Sequence, residues 1–135
     1  MPTLPSRSPV TDPPAAASAD AALHFGRLLQ FETDCWDVHA QLESGGFVLL
    51  DVRSPEHFRR GHIGGAVNLP HARITERALE AWPPGTLFVV YCDGVHCNGA
   101  DRGALRLSSL GRPVKKMAGG VAGWIADGFP LVEGP

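Results

Sequence analysis

The chain has 135 residues, which is enough for one domain with a hydrophobic core and too few for two ordinary domains. Hydrophobic residues make up 44% of the chain and charged residues 19%, as in ordinary soluble proteins, and the apolar runs are only about as long as a strand, so we expect no membrane span. The net charge is −2 and no basic stripe is visible, which argues against nucleic acid as a partner.

The first 19 residues are rich in Pro, Ser and Ala, a composition that buries too little apolar surface to offset the entropy of ordering the chain. We therefore predict a disordered tail over 1–19 and a folded domain over 20–135. The tail has no continuous apolar stretch of the kind found in secretory signals. Three cysteines (Cys35, Cys92 and Cys97) are too few and odd in number for a disulfide scaffold, which favours a reduced, cytoplasmic setting.

Apolar periodicity and capping residues predict alternating helices and strands along the rest of the chain. The predicted strands are 47–52, 66–69, 87–91 and 114–117. The predicted helices are 21–29, one capped by Thr33 or Asp34 that ends at Gly45, a short one starting at Ser54, then 74–81, 99–110 and 121–126. Because the connections are too long for hairpins, this pattern predicts an α/β fold with a mainly parallel sheet and helices on both faces.

The strand at 87–91 leads directly into Cys92, a short polar loop and the helix at 99–110. In open α/β sheets, ligands bind beyond the carboxyl ends of the strands, where a helix N-terminus presents free N–H groups and positive dipole charge. We therefore expect Cys92 to ionise more readily than a free cysteine. Position alone leaves open the alternative that Cys92 is a small buried hydrophobic residue.

Three ordered stretches, together covering about 33–133, resemble the rhodanese (sulfurtransferase) family. LLDVRSPEHFRRGHIGGAVNLP (49–70) is similar to the family's DVR and G-H-I-x-G-A segments, VVYCDG (89–94) to its strand and active-site cysteine, and MAGGVAGWIADGFPL (117–131) to its C-terminal signature. The resemblance implies a single rhodanese-like domain with about five mostly parallel strands flanked by helices on both faces.

The resemblance also implies sulfurtransferase chemistry in which Cys92 accepts a sulfane sulfur from thiosulfate or a persulfide. The sulfur then passes to a thiol, to cyanide or to a protein acceptor, and no cofactor is expected. In the family, the backbone N–H groups of the loop after the cysteine hold the donor. The corresponding loop residues are Asp93, Gly94, Val95, His96, Cys97 and Asn98.

One position departs from the family pattern, because the loop commonly ends with an arginine where this chain has Cys97. The missing guanidinium removes a charge-assisted contact to a donor oxygen, worth roughly 1.5–3 kcal/mol. We therefore expect thiosulfate to bind weakly. The missing arginine also favours an alternative function, a non-catalytic or redox-regulatory binding module on the same scaffold.

Cys97 itself has three interpretations. It is a resolving thiol that attacks a Cys92 persulfide, a small residue that lines the loop, or the nucleophile, since Arg102 follows it by five positions. The last is disfavoured because it would place Arg102 inside the predicted helix at 99–110. The sequence does not decide between the first two.

Other polar residues near the loop have supporting interpretations. His96 lies between the two thiols in sequence, but zinc sites usually pair two ligand clusters and the sequence has no second one, so we expect no metal. His96 either lines the pocket or is a solvated loop residue. Asp51 and Arg53, at the end of a predicted strand, are expected to support the site as a carboxylate that accepts loop N–H bonds and a partnered guanidinium.

Overall fold

The computed structural model describes residues 8–135, which divide into one compact unit up to Gln30 and another from Phe31 to Pro135. In the first unit, helix α1 (Ser18–Phe31) follows a turn in which the Asp12 N–H donates to the Ser8 carbonyl at 2.8 Å. The helix predicted at 21–29 lies within α1, which also takes in the last two residues of the predicted tail. Residues 1–7 of that tail lie outside the described residues.

Five strands form the sheet of the second unit. They are β1 (Glu32–Asp34), β2 (Val48–Asp51), β3 (Val67–Asn68), β4 (Phe88–Tyr91) and β5 (Val114–Ala118). Their order is β1-β5-β4-β2-β3 and every adjacent pair is parallel. The predicted α/β fold with a mainly parallel sheet is confirmed. The sequence pattern missed β1, because three polar residues carry no apolar run.

Four helices connect these strands, and a fifth follows β5. They are α2 (Cys35–Gln41), α3 (Pro55–Arg60), α4 (Glu76–Leu79), α5 (Gly99–Ser109) and α6 (Gly120–Ala126), and a 3₁₀ turn covers His71–Arg73. Side-chain oxygens of Asp34, Ser54 and Thr75 cap α2, α3 and α4. The helix predicted at 74–81 is shorter because Thr75 caps it from within the predicted range. None of the helices in the described part of the chain is both long enough and apolar enough to cross a membrane.

Strand β4 is the centre of the core, and all four of its residues are buried. Phe88 and Val90 pack with Leu107 of α5 on one face of the sheet, whereas Val89 and Tyr91 pack on the other face, in a cluster that includes Trp124 of α6. Helices therefore cover both faces of the sheet. The alternation along β4 continues into Cys92, which belongs to the cluster on the α5 face.

Candidate active site

Cys92 follows the central strand directly and is buried, with 5% of its surface exposed. Its sulfur lies against the first turn of α5, where a Cβ added to Gly99 would be 2.7 Å from the Cys92 Sγ. Only glycine leaves room for the sulfur at this position, so the start of α5 is shaped around Cys92.

The N-terminus of α6 holds the other side of the loop. The N–H groups of Val121 and Ala122 donate to the carbonyls of Cys92 at 3.0 Å and Asp93 at 2.8 Å. Gly120 has a positive φ of 58°, and a Cβ there would lie 2.8 Å from the Gly94 nitrogen and closer still to the Cys92 carbonyl. The second glycine of the pair in the sequence, Gly120, is thus explained by direct backbone contact between α6 and the loop.

Two thiols meet at this loop. The sulfurs of Cys92 and Cys97 and a carboxylate oxygen of Asp93 all lie within 4.8 Å of one another. The Gly99 N–H, at the start of α5, donates to the Cys97 Sγ at 3.4 Å, and the Cys97 N–H donates to the Gly94 carbonyl at 3.1 Å. These two amides serve Cys97 and the turn itself, so neither is directed at the Cys92 sulfur.

The ionisation of Cys92 differs from the prediction. Burial of the thiol, its interaction with Cys97 and the charge of Asp93 together raise the pKa of Cys92 to about 12. A backbone hydrogen bond at Asp93 opposes these effects by lowering the pKa. The prediction of a readily ionised Cys92 is therefore wrong. The physical reason is that burial of the thiol and its interaction with Cys97 outweigh the stabilising backbone hydrogen bond at Asp93.

The buried residues Asp51 and Arg53 and the partly exposed Asp93 form an ion network beside Cys92. The Arg53 guanidinium donates to both oxygens of Asp51, with the shortest contact 2.7 Å, and to Asp93 Oδ1 at 3.1 Å. It also donates to the Gly61 carbonyl at 2.7 Å, at the end of α3. Arg53 therefore joins the end of β2, the cysteine loop and α3, and its charge is balanced by two carboxylates.

Both thiols line two clefts. The β5 cleft has a volume of about 170 Å³, and its other lining residues include Gly94, Val95, Lys116 and Gly119. The α3 cleft has a volume of about 350 Å³, and its other lining residues include Arg53, Ser54, His57, His71 and Asn98. A ligand in either cleft would therefore lie against both cysteine residues.

The lysine of the β5 cleft and the arginine of the α3 cleft are both paired with carboxylates. Lys116 Nζ, in the β5 cleft, lies 3.1 Å from Glu32 Oε1 and 3.0 Å from Asp101 Oδ1. Arg53, in the α3 cleft, is held between Asp51 and Asp93. Each of these two cations therefore has two carboxylates around it, an arrangement that leaves little positive charge to attract a dianion.

Comparison with known proteins decides the family. A family model described as Rhodanese-like domain matches residues 36–127 of the chain. The chain belongs to the rhodanese-like family. This membership confirms the resemblance noted from the sequence motifs.

Several known proteins are similar to this rhodanese-like chain. It is 36% identical over 92 residues to the HTH-type transcriptional regulator Rv0324 of Mycobacterium tuberculosis, covering 68% of this chain but only 40% of that protein. It is 34% identical over 73 residues to the thiosulfate sulfurtransferase PspE of Escherichia coli, covering 53% of this chain and 68% of that protein. The crystal structure of the BH2092 protein from Bacillus halodurans is similar, with a TM-score of 0.82, 28% identity and 87% coverage of both chains.

The remaining loop residues of this rhodanese-like domain take different positions. Val95 is 95% exposed at the tip of the loop, and His96 is exposed with its imidazole packed over Gly94, 3.2 Å from a Cβ built there. Asn98 precedes α5 and accepts a hydrogen bond from Arg102 Nε at 3.1 Å. Arg102 itself lies inside α5. His96 thus lies over the outside of the turn.

The cluster of residues that could bind a metal in the structure differs from the one considered in the sequence, which included His96. Cys92, Asp93 and Cys97 each offer one ligand atom within the 4.8 Å group, so Asp93 stands where the sequence suggested His96. Asp93 is, however, already paired with Arg53.

Sequence reasoning missed the contribution of Ser54, His57, His71 and Lys116 to the two clefts. They lie in distant segments that carry no local signal for this site.

Proposed function

We propose that this rhodanese-like domain is a sulfurtransferase that carries sulfur as a persulfide on Cys92. The observation that carries the proposal is the position of the Cys92 thiol, at the carboxyl end of the central strand and in the lining of two clefts. The similarity to a thiosulfate sulfurtransferase over 73 residues supports the same class of reaction.

The reaction is a double displacement. The Cys92 thiolate attacks the outer sulfur of a donor R–S–SH, forms Cys92–S–SH and releases the thiolate RS⁻. A thiol, cyanide or a nucleophile on an acceptor protein then attacks the outer sulfur of Cys92–S–SH, takes that sulfur and regenerates the Cys92 thiolate. The α6 amides of Val121 and Ala122 fix the loop carbonyls, so the backbone at Cys92 stays in place through both steps.

The preferred donor is a persulfide rather than thiosulfate. Position 97 is cysteine instead of the arginine common in the family, and the nearby Arg53 and Lys116 are each paired with two carboxylates. Thiosulfate carries two negative charges that must be desolvated on entry, and these paired cations offset little of that cost. A persulfide carries at most one charge at its reacting end.

The test is intact mass spectrometry of the reduced protein after incubation with glutathione persulfide and, separately, with thiosulfate. We expect a gain of one sulfur, about 32 Da, that peptide mapping assigns to Cys92 and that forms faster with the persulfide. Cys92→Ser, checked for folding by circular dichroism, should gain no sulfur at this position. Absence of the adduct with both donors in folded wild-type protein would contradict the sulfurtransferase proposal and favour a binding module.

A further inference from the structure

We propose that Cys97 resolves the Cys92 persulfide, so that the domain releases the sulfur as hydrogen sulfide and closes a Cys92–Cys97 disulfide. The inference rests on the proposed function, because it requires a persulfide on Cys92. It adds a second reaction to sulfur transfer, the reduction of a persulfide at the expense of thiols.

The first argument is the position of the Cys97 sulfur. It lies within 4.8 Å of the Cys92 Sγ. The Gly99 N–H, at the N-terminus of the 11-residue helix α5, donates to the Cys97 Sγ at 3.4 Å. This hydrogen bond holds the Cys97 sulfur beside Cys92.

The second argument concerns the two sulfurs of the Cys92 persulfide, because Cys97 can attack either the inner or the outer one. The Cys92 Sγ, the inner sulfur of the persulfide, lies against Gly99 and within 4.8 Å of the Cys97 Sγ, so Cys97 can reach it without a rearrangement of the loop. Attack on the outer sulfur would expel the Cys92 thiolate into a buried site that raises its pKa. Attack on the inner sulfur expels hydrosulfide, the conjugate base of a stronger acid, and such groups leave faster.

The step balances in atoms and charge. Cys97–SH and Cys92–S–S⁻ give Cys92–S–S–Cys97 and HS⁻, because the thiol proton of Cys97 leaves with the expelled sulfur. The outer sulfur is reduced to sulfide, and the two cysteine sulfurs are oxidised to the disulfide. Two molecules of a small thiol RSH then reduce the disulfide and leave as RSSR.

Access supports the last step. Cys97 is half-buried whereas Cys92 is buried, and the neighbouring loop residues Val95 and His96 are exposed. A small thiol therefore reaches the Cys97 sulfur of the disulfide first and forms a mixed disulfide there. The Cys92 sulfur is the leaving group in this exchange and takes up the proton of the attacking thiol.

The experiment is a single turnover of reduced wild-type protein and of Cys97→Ser with one equivalent of glutathione persulfide, after removal of the reductant. Cys92 and Cys97 share one tryptic peptide, residues 78–102. For the wild type we expect that peptide to lose about 2 Da while sulfide is released, measured with a sulfide electrode. For Cys97→Ser we expect a stable gain of about 32 Da on Cys92 and sulfide release slower by at least about tenfold.

Cys35 is the internal control. It is buried, its thiol donates to the Ala118 carbonyl, and its tryptic peptide (28–53) should keep its mass in both proteins. Persistence of the Cys92 adduct to the same extent in both proteins would overturn the role of Cys97 and leave the sulfurtransferase proposal standing. A sulfur gained on Cys97 in the wild type would also overturn it. A folded Cys97→Ser that gains no sulfur on Cys92 would contradict the sulfurtransferase proposal itself.

Discussion

The surroundings of Cys92 determine the protonation state of its thiol. The thiol is desolvated, hydrogen-bonded to Cys97 and close to the Asp93 carboxylate, and these effects together raise its pKa to about 12. At neutral pH the resting residue is therefore a thiol. A protonated thiol is a poor nucleophile, which protects it from adventitious electrophiles and makes its reaction with a donor dependent on pH.

The raised pKa predicts a distinct pH profile for alkylation of Cys92 by iodoacetamide, followed by peptide mapping. The thiolate fraction rises with pH up to the pKa, so the alkylation rate of Cys92 should increase on the order of tenfold per pH unit and still be rising at about pH 10. The alkylation rate of free cysteine, in contrast, levels off above about pH 8.5. Asp93→Asn removes a charge that raises the pKa and should move the profile to lower pH. A wild-type plateau below about pH 8 would contradict the raised pKa.

At the scale of elements, the contact between α6 and the loop after β4 fixes the site. The first turn of α6 donates to the loop carbonyls, and Gly120 lets the two backbones touch. The helix and the cysteine loop are separated by more than 20 residues in sequence, so the C-terminal glycine motif acts on the site from a distance.

Gly120→Ala tests this contact. The substitution combines a positive φ with a clash against the loop backbone, and we expect it to lower the free energy of unfolding by about 2–5 kcal/mol in urea denaturation. Gly128→Ala is the matched control, because Gly128 also has a positive φ, 84°, but open space around its Cβ position. That variant should lose only about 1–2 kcal/mol. Equal losses in the two variants would show that backbone conformation, rather than the contact, explains the glycine.

For the sheet-based unit as a whole, the buried ion network joins segments that do not follow one another in sequence. Asp51 is fully buried at the end of β2, and Arg53 reaches from there to the cysteine loop and to the end of α3. Removal of one member of such a network leaves a buried charge without its partner.

Asp51→Ala should therefore lower the free energy of unfolding by about 3–5 kcal/mol, measured by chemical denaturation. Lys116→Met removes the partly exposed ion pairs with Glu32 and Asp101 while it keeps the side-chain stem, and it should cost at most about 1 kcal/mol. A loss of less than about 1 kcal/mol for Asp51→Ala would mean that water replaces the carboxylate and that the network is not structural.

The sequence by itself determined the succession of helices and strands and the location of the candidate nucleophile, Cys92. Apolar runs identify β2 and β4, capping residues such as Ser54 mark helix starts, and the strand-loop-helix pattern places Cys92 at a sheet edge where ligands bind. These signals depend on residues within a few positions of one another, so they can be recognised from the sequence alone. The short polar strand β1 was not predicted because it has no such local pattern.

Only the tertiary structure decided the electrostatics of the site and the relation of its two thiols. Arg53 and Asp93 are 40 positions apart, yet they form an ion pair beside Cys92. Whether the Gly99 amide reaches Cys92 or Cys97 depends on the path of the loop between β4 and α5. Burial and charge at one atom sum over all neighbours in space, and most of those neighbours are distant in the chain.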